Sequence, residues 1–388
     1  MAGDEKSTRK KRRLLGVLFS LVSLAILTYI AIVLITGREL GFPALSEIFR
    51  PRLPVEAADN FFFETGRDRV FAELDGSIAS VGSLGLQIMD ESGKETLRDP
   101  FRMSFPAVNL SSGKVIAFDI GGTAIRVFDK SHVIVSLEAT GSVVSASINK
   151  NGWFCVCTQE EGAFRSIITA YDNKGRNVYK VSLSSGYALS ADLSADNKRL
   201  VVLNLTDDGS RITFYDLDKE NVAGTFDLPG ELILELRYRN GKVLAVTQNA
   251  LIAAEPDGSY AELYSYAGRR LGGYILGEDF ITLHLLDYGV GYRGRLVTLG
   301  VSGRLLGERD TDREIISMSC AGMNLAVLQN DGLTLLSSEL NEYTPLTDSA
   351  SAAGATFALA LKDGAGLCAL AASDHSAVIF RFERSADH

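Results

Sequence analysis

Residues 143–182 contain four short segments from which the architecture can be inferred: Val143-Val-Ser-Ala-Ser-Ile-Asn149, Trp153-Phe-Cys-Val-Cys-Thr-Gln159, Ser166-Ile-Ile-Thr-Ala-Tyr171 and Asn177-Val-Tyr-Lys-Val-Ser182. Each segment is rich in β-branched, aromatic or other apolar residues, and turn residues such as Asn151-Gly152 and Gly175 separate them. Asn-Gly is among the strongest signals for a tight hairpin turn. This stretch therefore predicts four short antiparallel strands, which we label a, b, c and d.

The same plan repeats along the chain. The next unit predicts strands at Ala188–Ser194, Arg199–Asn204, Arg211–Tyr215 and Ala223–Leu228. The a–b turns recur every 37–45 residues, at Gly76, Gly113, Gly152, Asn197, Gly241, Glu278, Gly322 and Gly364. The c–d turns recur at the same spacing, at Gly93, Lys130, Gly175, Lys219, Gly258, Gly303 and Asn341. A four-stranded unit of about 40 residues, repeated in this way, is typical of a propeller blade.

Eight a–b turns predict an all-β propeller of eight four-stranded blades over residues 59–384, with seven blades as the alternative. The last blade lacks a d strand, because little of the chain remains after Ala377–Phe382. We expect Asn60–Glu64 to fill that place and to close the ring. Closure of this kind covers two otherwise open strand edges.

The N-terminal region predicts a membrane anchor. Residues 14–36 contain no charged side chain, and as a helix they would span about 35 Å, enough for a hydrocarbon core of about 30 Å. Six basic and two acidic residues give residues 1–13 a net charge of +4. This favours a cytoplasmic tail, with the propeller on the extracytoplasmic side of the plasma membrane. A cleaved signal peptide is the alternative, disfavoured by the long apolar run. Residues 37–58 are interpreted as a stalk and 385–388 as a tail.

Composition excludes several other classes of protein. The chain has a formal net charge of -9, which leaves −13 for residues 37–388 and argues against nucleic-acid binding. Four cysteines in 388 residues exclude a disulfide-stapled miniprotein. Cys155 and Cys157 alternate on one strand and are interpreted as buried apolar thiols. With the four histidines scattered, we predict no metal site.

Two motifs resemble nucleotide sites. Gly289-Val-Gly-Tyr-Arg-Gly294 matches G-x-G-x-x-G, and Phe118-Asp-Ile-Gly-Gly-Thr123 resembles the phosphate-binding motif of sugar kinases in the actin-like ATPase superfamily. Dinucleotide binding needs a helix after the glycines, whereas β segments follow both motifs. We interpret both as hairpin turns and predict no catalytic residue and no cofactor.

The whole layout resembles an uncharacterised family of bacterial membrane proteins with an N-terminal anchor and a propeller ectodomain. The repeats are also similar in plan to quinoprotein-like and WD-like propellers. Quinoprotein dehydrogenases carry a tryptophan-rich motif in each blade, whereas this chain has only Trp153 and lacks the WD dipeptide. The resemblance therefore implies no redox cofactor. Motif-poor propellers such as the scaffold lipoprotein of outer-membrane assembly bind proteins, which implies a similar role here.

The spacing of the turns also suggests where a partner binds. The interval between a–b and c–d turns is longest in blades 3, 4 and 6, which predicts longer b–c hairpins there, and longer loops on one face often carry binding. The candidate partner-binding residues are Glu160, Glu161, Asp207, Asp208, Asp287, Tyr288, Tyr292, Arg293 and Arg295. Solvated hairpin tips are the alternative. Glu235, Arg237 and Arg239 share one face of an inner strand and form a second, channel-lining candidate patch, or equally a structural ion-pair ladder.

We therefore expect a non-enzymatic, membrane-tethered protein-binding scaffold of the cell envelope. One alternative is an extracytoplasmic ligand-sensing subunit of a membrane complex, since a 13-residue tail is too short for an output domain. The other is an anchored hydrolase or lyase with its site in the channel. The bilayer, through residues 14–36, and envelope proteins are the expected partners.

Overall fold

The computed structural model describes residues 60–90, 92–160, 162–239, 241–346, 352, 354–362, 367–373 and 376–384. The predicted cytoplasmic tail, membrane helix, stalk and C-terminal tail lie outside these ranges, as do Glu161 and the turn at Gly364. Within the described ranges, no helix has the length and apolar character needed to cross a bilayer.

The first half of the ring consists of four-stranded antiparallel sheets, preceded by β1 (Asn60–Phe62). Blade 1 contains β2 (Val70–Leu74), β3 (Ser77–Gly82), β4 (Gly85–Met89) and β5 (Glu95–Pro100). Blade 2 contains β6 (Pro106–Ser111), β7 (Lys114–Asp119), β8 (Ala124–Phe128) and β9 (Val133–Glu138). Blade 3 contains β10 (Ser142–Ile148), β11 (Phe154–Gln159), β12 (Ser166–Tyr171) and β13 (Asn177–Leu183). Blade 4 contains β14 (Tyr187–Leu193), β15 (Arg199–Thr206), β16 (Gly209–Asp216) and β17 (Asn221–Pro229).

The second half continues the pattern with one irregular blade. Blade 5 contains β18 (Ile233–Arg239), β19 (Lys242–Thr247), β20 (Ala250–Ala254) and β21 (Tyr260–Ser265). Blade 6 contains β22 (Arg270–Leu276), β23 (Phe280–Leu286), β24 (Gly294–Gly300) and β25 (Leu305–Thr311). Blade 7 contains β26 (Ile315–Ala321), β27 (Asn324–Gln329) and β28 (Gly332–Ser337), and the short β29 (Thr344–Pro345) follows it. Blade 8 contains β30 (Phe357–Leu361), β31 (Leu367–Ala372) and β32 (Ser376–Glu383).

The fold is an all-β propeller with eight blades, so the prediction of eight is confirmed and seven is excluded. Among the described residues, each predicted a–b turn lies between the first two strands of a blade. The predicted closure is also confirmed, because β1 pairs antiparallel with β32, with Phe61 opposite Ala377. The two ends of the repeat domain therefore meet in blade 8.

Blade 7 departs from the regular plan. Its sheet has three strands in the described part of the chain, where its neighbours have at least four. Glu342 makes a single bridge to Leu336 of β28. Thr344 and Pro345 then pair with Glu383 and Phe382 of blade 8. This segment therefore links blade 7 to blade 8.

Neighbouring blades pack through glycines in the c–d turns. Gly93, Gly175, Gly258 and Gly303 all have positive φ angles, between 77° and 87°. A Cβ placed on any of them would lie 2.8–3.0 Å from the outermost strand of the preceding blade. Gly93 makes this contact with Phe61, so β1 occupies the same place relative to blade 1 as the other outer strands do relative to their neighbours.

The core lies between adjacent sheets. The middle strands bury side chains on both faces, as in β11, where Phe154 through Thr158 are all buried. Each cluster joins neighbouring blades; Leu203 of blade 4, for example, packs with Leu236 and Val243 of blade 5. Burial on both faces explains why these strands are continuously apolar rather than alternating.

Candidate functional site

The connections between strands emerge at two ends of the propeller. The b–c and d–a connections form one end, which we call the upper face, and the a–b and c–d turns form the lower face. The innermost strand of each blade lines a central channel that joins the two faces. This geometry gives three surfaces to consider for function: the upper face, the lower face and the channel.

Exposed apolar side chains concentrate on the upper face. Most of the exposed large apolar residues of the described chain lie in its connections or at the upper ends of the inner strands: Leu84, Phe105, Ile120, Phe164, Tyr187, Leu232, Leu234, Tyr288, Val290, Tyr292 and Ile316. On the lower side, Met323 lies in an a–b turn and Leu110 lies near the lower end of an inner strand, and four further residues lie near the lower ends of outer strands: Val178, Val222, Tyr260 and Leu305. The upper end therefore has more exposed apolar side chains than the lower end, and sequence reasoning missed most of this apolar surface because its members are scattered along the chain.

The b–c loop of blade 6 contains the most exposed of these apolar side chains. Tyr288, Val290 and Tyr292 are 65%, 91% and 50% exposed. The loop is fixed at its base, where Asp287 N–H donates to Arg293 O at 3.0 Å. Arg269 Nε, from the adjacent connection, also lies 2.8 Å from Asp287 Oδ1. A fixed base that presents exposed aromatic side chains suits an interface anchor.

The acidic candidates lie elsewhere on the upper face. Glu160 accepts a hydrogen bond from Thr140 Oγ1 at 3.1 Å in blade 3. Asp207 and Asp208 are exposed at the hairpin tip of blade 4. In blade 4 the predicted longer b–c hairpin is found as two longer strands, β15 and β16, joined by a two-residue turn rather than by a long loop. These residues belong to the adjacent blades 3 and 4, and blade 5 separates them from the blade 6 loop.

Arg295 is not part of the loop. It lies in β24, where its guanidinium contacts Glu308 at 2.8 Å and Asp310 at 2.9 Å on β25. It pairs the two outer strands of blade 6 with each other.

The channel candidates Glu235, Arg237 and Arg239 lie on β18 and line a cavity. Arg237 Nη2 lies 2.8 Å from Glu235 Oε1. Arg239 makes no such pair with a described carboxylate; its Nη1 donates to Tyr238 O at 2.9 Å. The predicted ion-pair ladder is therefore a single ion pair between Glu235 and Arg237, and Arg239 is a separate cation.

The two nucleotide-like motifs have structural roles. Gly289–Gly294 closes the b–c hairpin between β23 and β24, as predicted. Asp119 of the second motif accepts N–H groups from Ser104 at 2.8 Å and Phe105 at 2.7 Å. A Cβ on Gly122 would lie 2.1 Å from the Asp119 carboxylate. The Asp119 carboxylate thus occupies the space that a side chain at position 122 would need, which explains why the residue is glycine.

Cys155 and Cys157 are buried, as predicted. Both belong to the apolar cluster between blades 3 and 4, and burial raises the pKa of Cys157 to about 12. Among the described residues, no group of three or more His, Cys, Asp or Glu side chains could hold a metal ion.

A buried histidine, His284, should make the free energy of unfolding depend on pH. His284 is buried in β23, and its Nε2 has no hydrogen-bond partner among the described residues. Burial and then the charge of Arg270 lower its pKa. Below pH ~6.5 the unfolded chain binds the proton that the folded state resists, so the free energy of unfolding should fall by up to about 1.4 kcal/mol per pH unit. The loss should level off below the lowered folded-state pKa.

Urea unfolding between pH 5 and pH 8 tests this. His284→Leu should show a smaller loss of stability below pH 6.5 than the wild type. His132→Leu, at an exposed position, is the matched control and should behave as the wild type. Equal pH profiles for all three proteins would contradict the prediction.

The protein is thus an eight-bladed β-propeller whose upper face carries most of the exposed large apolar side chains of the described chain. Residues 57–339, well over half of the chain, match the family of unknown function DUF5711. The chain belongs to this family. The expected resemblance to an uncharacterised propeller family is confirmed to that extent. Comparison with curated protein sequences finds no significant match.

Several solved structures share the fold. The computationally designed Ika8 protein is 13% identical, with a TM-score of 0.57 over 84% of this chain and 96% of that chain. BamB from Moraxella catarrhalis is 14% identical, with a TM-score of 0.52 over 86% and 99%. The C-terminal WD40 domain of Sif2 is 14% identical, with a TM-score of 0.55 over 84% and 96%. At these identities the likeness concerns the fold alone.

Proposed function

We propose that this protein is a membrane-anchored, extracytoplasmic propeller that binds other proteins as a non-enzymatic scaffold through its upper face. The apolar helix predicted for residues 14–36 and the basic residues before it support the anchor and its orientation. The fold shared with BamB and with a WD40 domain is compatible with such a role.

The observation that carries the proposal is the concentration of exposed apolar side chains on the upper face. Exposed apolar residues scattered singly are normal on any protein, whereas their collection on one face marks an interaction surface. Tyr288, Val290 and Tyr292 form its most exposed part. We assign the main apolar contact of the interface to this loop. Glu160, Asp207 and Asp208 form a polar rim that sets which partner binds.

Crosslinking in intact cells, followed by affinity purification of the full-length tagged protein, tests the proposal. The variant carries Tyr288→Ser, Val290→Ser and Tyr292→Ser, and we expect at least a tenfold loss of a specific protein partner. The matched control carries Val222→Ser, Leu305→Ser and Met323→Ser, which remove three apolar side chains that are 53%, 50% and 52% exposed on the outer wall and lower face. The control should retain the partner.

The same cells test the placement of the propeller. Protease added to spheroplasts should degrade the propeller and spare an N-terminal tag. A partner retained by the upper-face variant, or lost equally from the control, would remove the upper face from the proposal. Protection of the propeller would reject the extracytoplasmic placement.

A further inference from the structure

The lower half of the channel contains a cavity of about 370 Å³. It reaches the a–b turns, since Gly113, Glu278 and Lys362 line it. Much of its wall is apolar, formed by Phe71, Val108, Leu110, Met318, Phe357 and Leu359. Pockets with apolar walls and a few placed polar groups are the usual form of small-molecule sites.

Arg239 differs from the other two cations that line this cavity, Arg237 and Lys362, because it has no ion-pair partner among the described residues. Its Nη1 donates to Tyr238 O at 2.9 Å and its Nε to Gly277 O at 3.4 Å. No carboxylate oxygen of the described residues lies within 4.0 Å of the guanidinium. A guanidinium offers five N–H groups in a planar fork that matches a carboxylate or phosphate, so most of its donors are available for a ligand.

Three of the four carboxylates that line the cavity have partners of their own. Glu235 pairs with Arg237 at 2.8 Å. Glu278 Oε1 accepts the N–H of Ser112 at 2.8 Å, across the channel from blade 6 to blade 2. Glu73 Oε1 accepts the N–H groups of Gly76 at 2.7 Å and Lys362 at 3.4 Å. The fourth carboxylate, Asp279, forms no ion pair with Arg239, but burial raises its pKa and the charges of Lys362 and then Arg239 lower it. Arg239 is therefore attracted at long range to this lining carboxylate and still has N–H donors for a ligand.

Arg239 is partly buried, and partial loss of hydration makes a cation without an ion-pair partner less favourable, which is the energetic reason to expect a counter-charge. Burial lowers the pKa of Arg239, and the more distant charges of Asp192, Glu278 and Glu235 oppose that effect only in part. An anion placed in the cavity would be drawn to the same guanidinium and would displace water from the apolar wall.

We propose that the cavity binds a small organic anion, with its carboxylate or phosphate group on Arg239 and its apolar body against the Phe71 and Phe357 side of the channel. The site is separate from the upper face, so ligand binding in the cavity can be tested independently of partner binding at the upper face. It would give the propeller a ligand-binding function in addition to any scaffold role.

The full-length protein in mild detergent tests this by calorimetric titration with four probes of one shape. Benzoate and phenyl phosphate carry the anion, benzamidine carries a cation, and benzyl alcohol is neutral. We expect at least one anion to bind, and the cation and the alcohol to bind at least tenfold more weakly. The better of the two anions identifies the acidic group that the site prefers.

Two variants test the site itself. Arg239→Gln should weaken anion binding at least tenfold, whereas Arg304→Gln, at an exposed arginine of a c–d turn, should leave it unchanged. Leu110→Trp fills the cavity without touching the charge and should also abolish binding, which keeps the test valid if Arg239→Gln unfolds. Absence of anion binding, preference for benzamidine, or binding retained in both variants would overturn the proposal.

Discussion

Phe61→Ala should reduce the free energy of unfolding by about 3–5 kcal/mol, the usual cost of removing a buried phenylalanine. Phe61 is 2% exposed and belongs to the cluster that joins blades 8 and 1. It also contacts Gly93, the point where blade 1 packs on the closing strand. The change therefore weakens the seam at which the two ends of the repeat domain meet. Urea unfolding monitored by circular dichroism gives the measurement.

The next residue provides the matched control. Phe62 lies on the same strand but is 66% exposed, so Phe62→Ala should change stability by no more than about 0.5 kcal/mol. The Phe61→Ala protein should also be cleaved first near the seam in limited proteolysis. Equal effects of the two substitutions would mean that β1 contributes pairing but no core packing to ring closure.

Gly258→Ala should cost roughly 2–5 kcal/mol, because it combines two penalties. The φ angle of +86° is strained for any residue with a Cβ. The new Cβ would also lie 2.8 Å from the backbone oxygen of Thr225 on blade 4. Since that oxygen belongs to a paired strand, blades 4 and 5 must separate to accommodate it. Thermal and urea unfolding both report the loss.

Gly268→Ala separates the two penalties. Gly268 has nearly the same φ angle, +80°, but nothing lies within 4 Å of the position its Cβ would take. It should therefore show the conformational cost alone, about 1–2 kcal/mol. If Gly258→Ala proved no worse than Gly268→Ala, the close approach of blades at the c–d turns would not limit stability.

The regular parts of this fold were predictable from local sequence. In blade 3 the predicted c strand Ser166–Tyr171 matches the observed strand, strands b and d differ by one residue at one end, and strand a is shifted by one residue at both ends. Strand and turn preferences depend on neighbouring residues, so they are present in any short window of sequence. Closure by β1 was also predictable, because the eighth unit has only three predicted strands and Asn60–Glu64 is a spare strand that can cover its open edge.

Other features depend on residues that are distant in the chain. The bridge from Ser112 to Glu278 joins positions 166 residues apart. The link made by Thr344 and Pro345 replaces the fourth strand expected in blade 7. Neither has a local pattern. The candidate loop residues Tyr288 and Tyr292 were identified from spacing and composition, but the apolar surface around them appears only when the connections of many blades are brought to one face.

The sequence by itself determined the strand order, the blade number and the positions of the turns, because these follow from the periodicity of apolar and turn residues. Only the tertiary structure decided which charges are paired, that Arg239 meets no described carboxylate, and that the upper face is the more apolar end. Burial and charge pairing depend on what the closed ring places next to each side chain, and a periodic pattern carries no information about those neighbours.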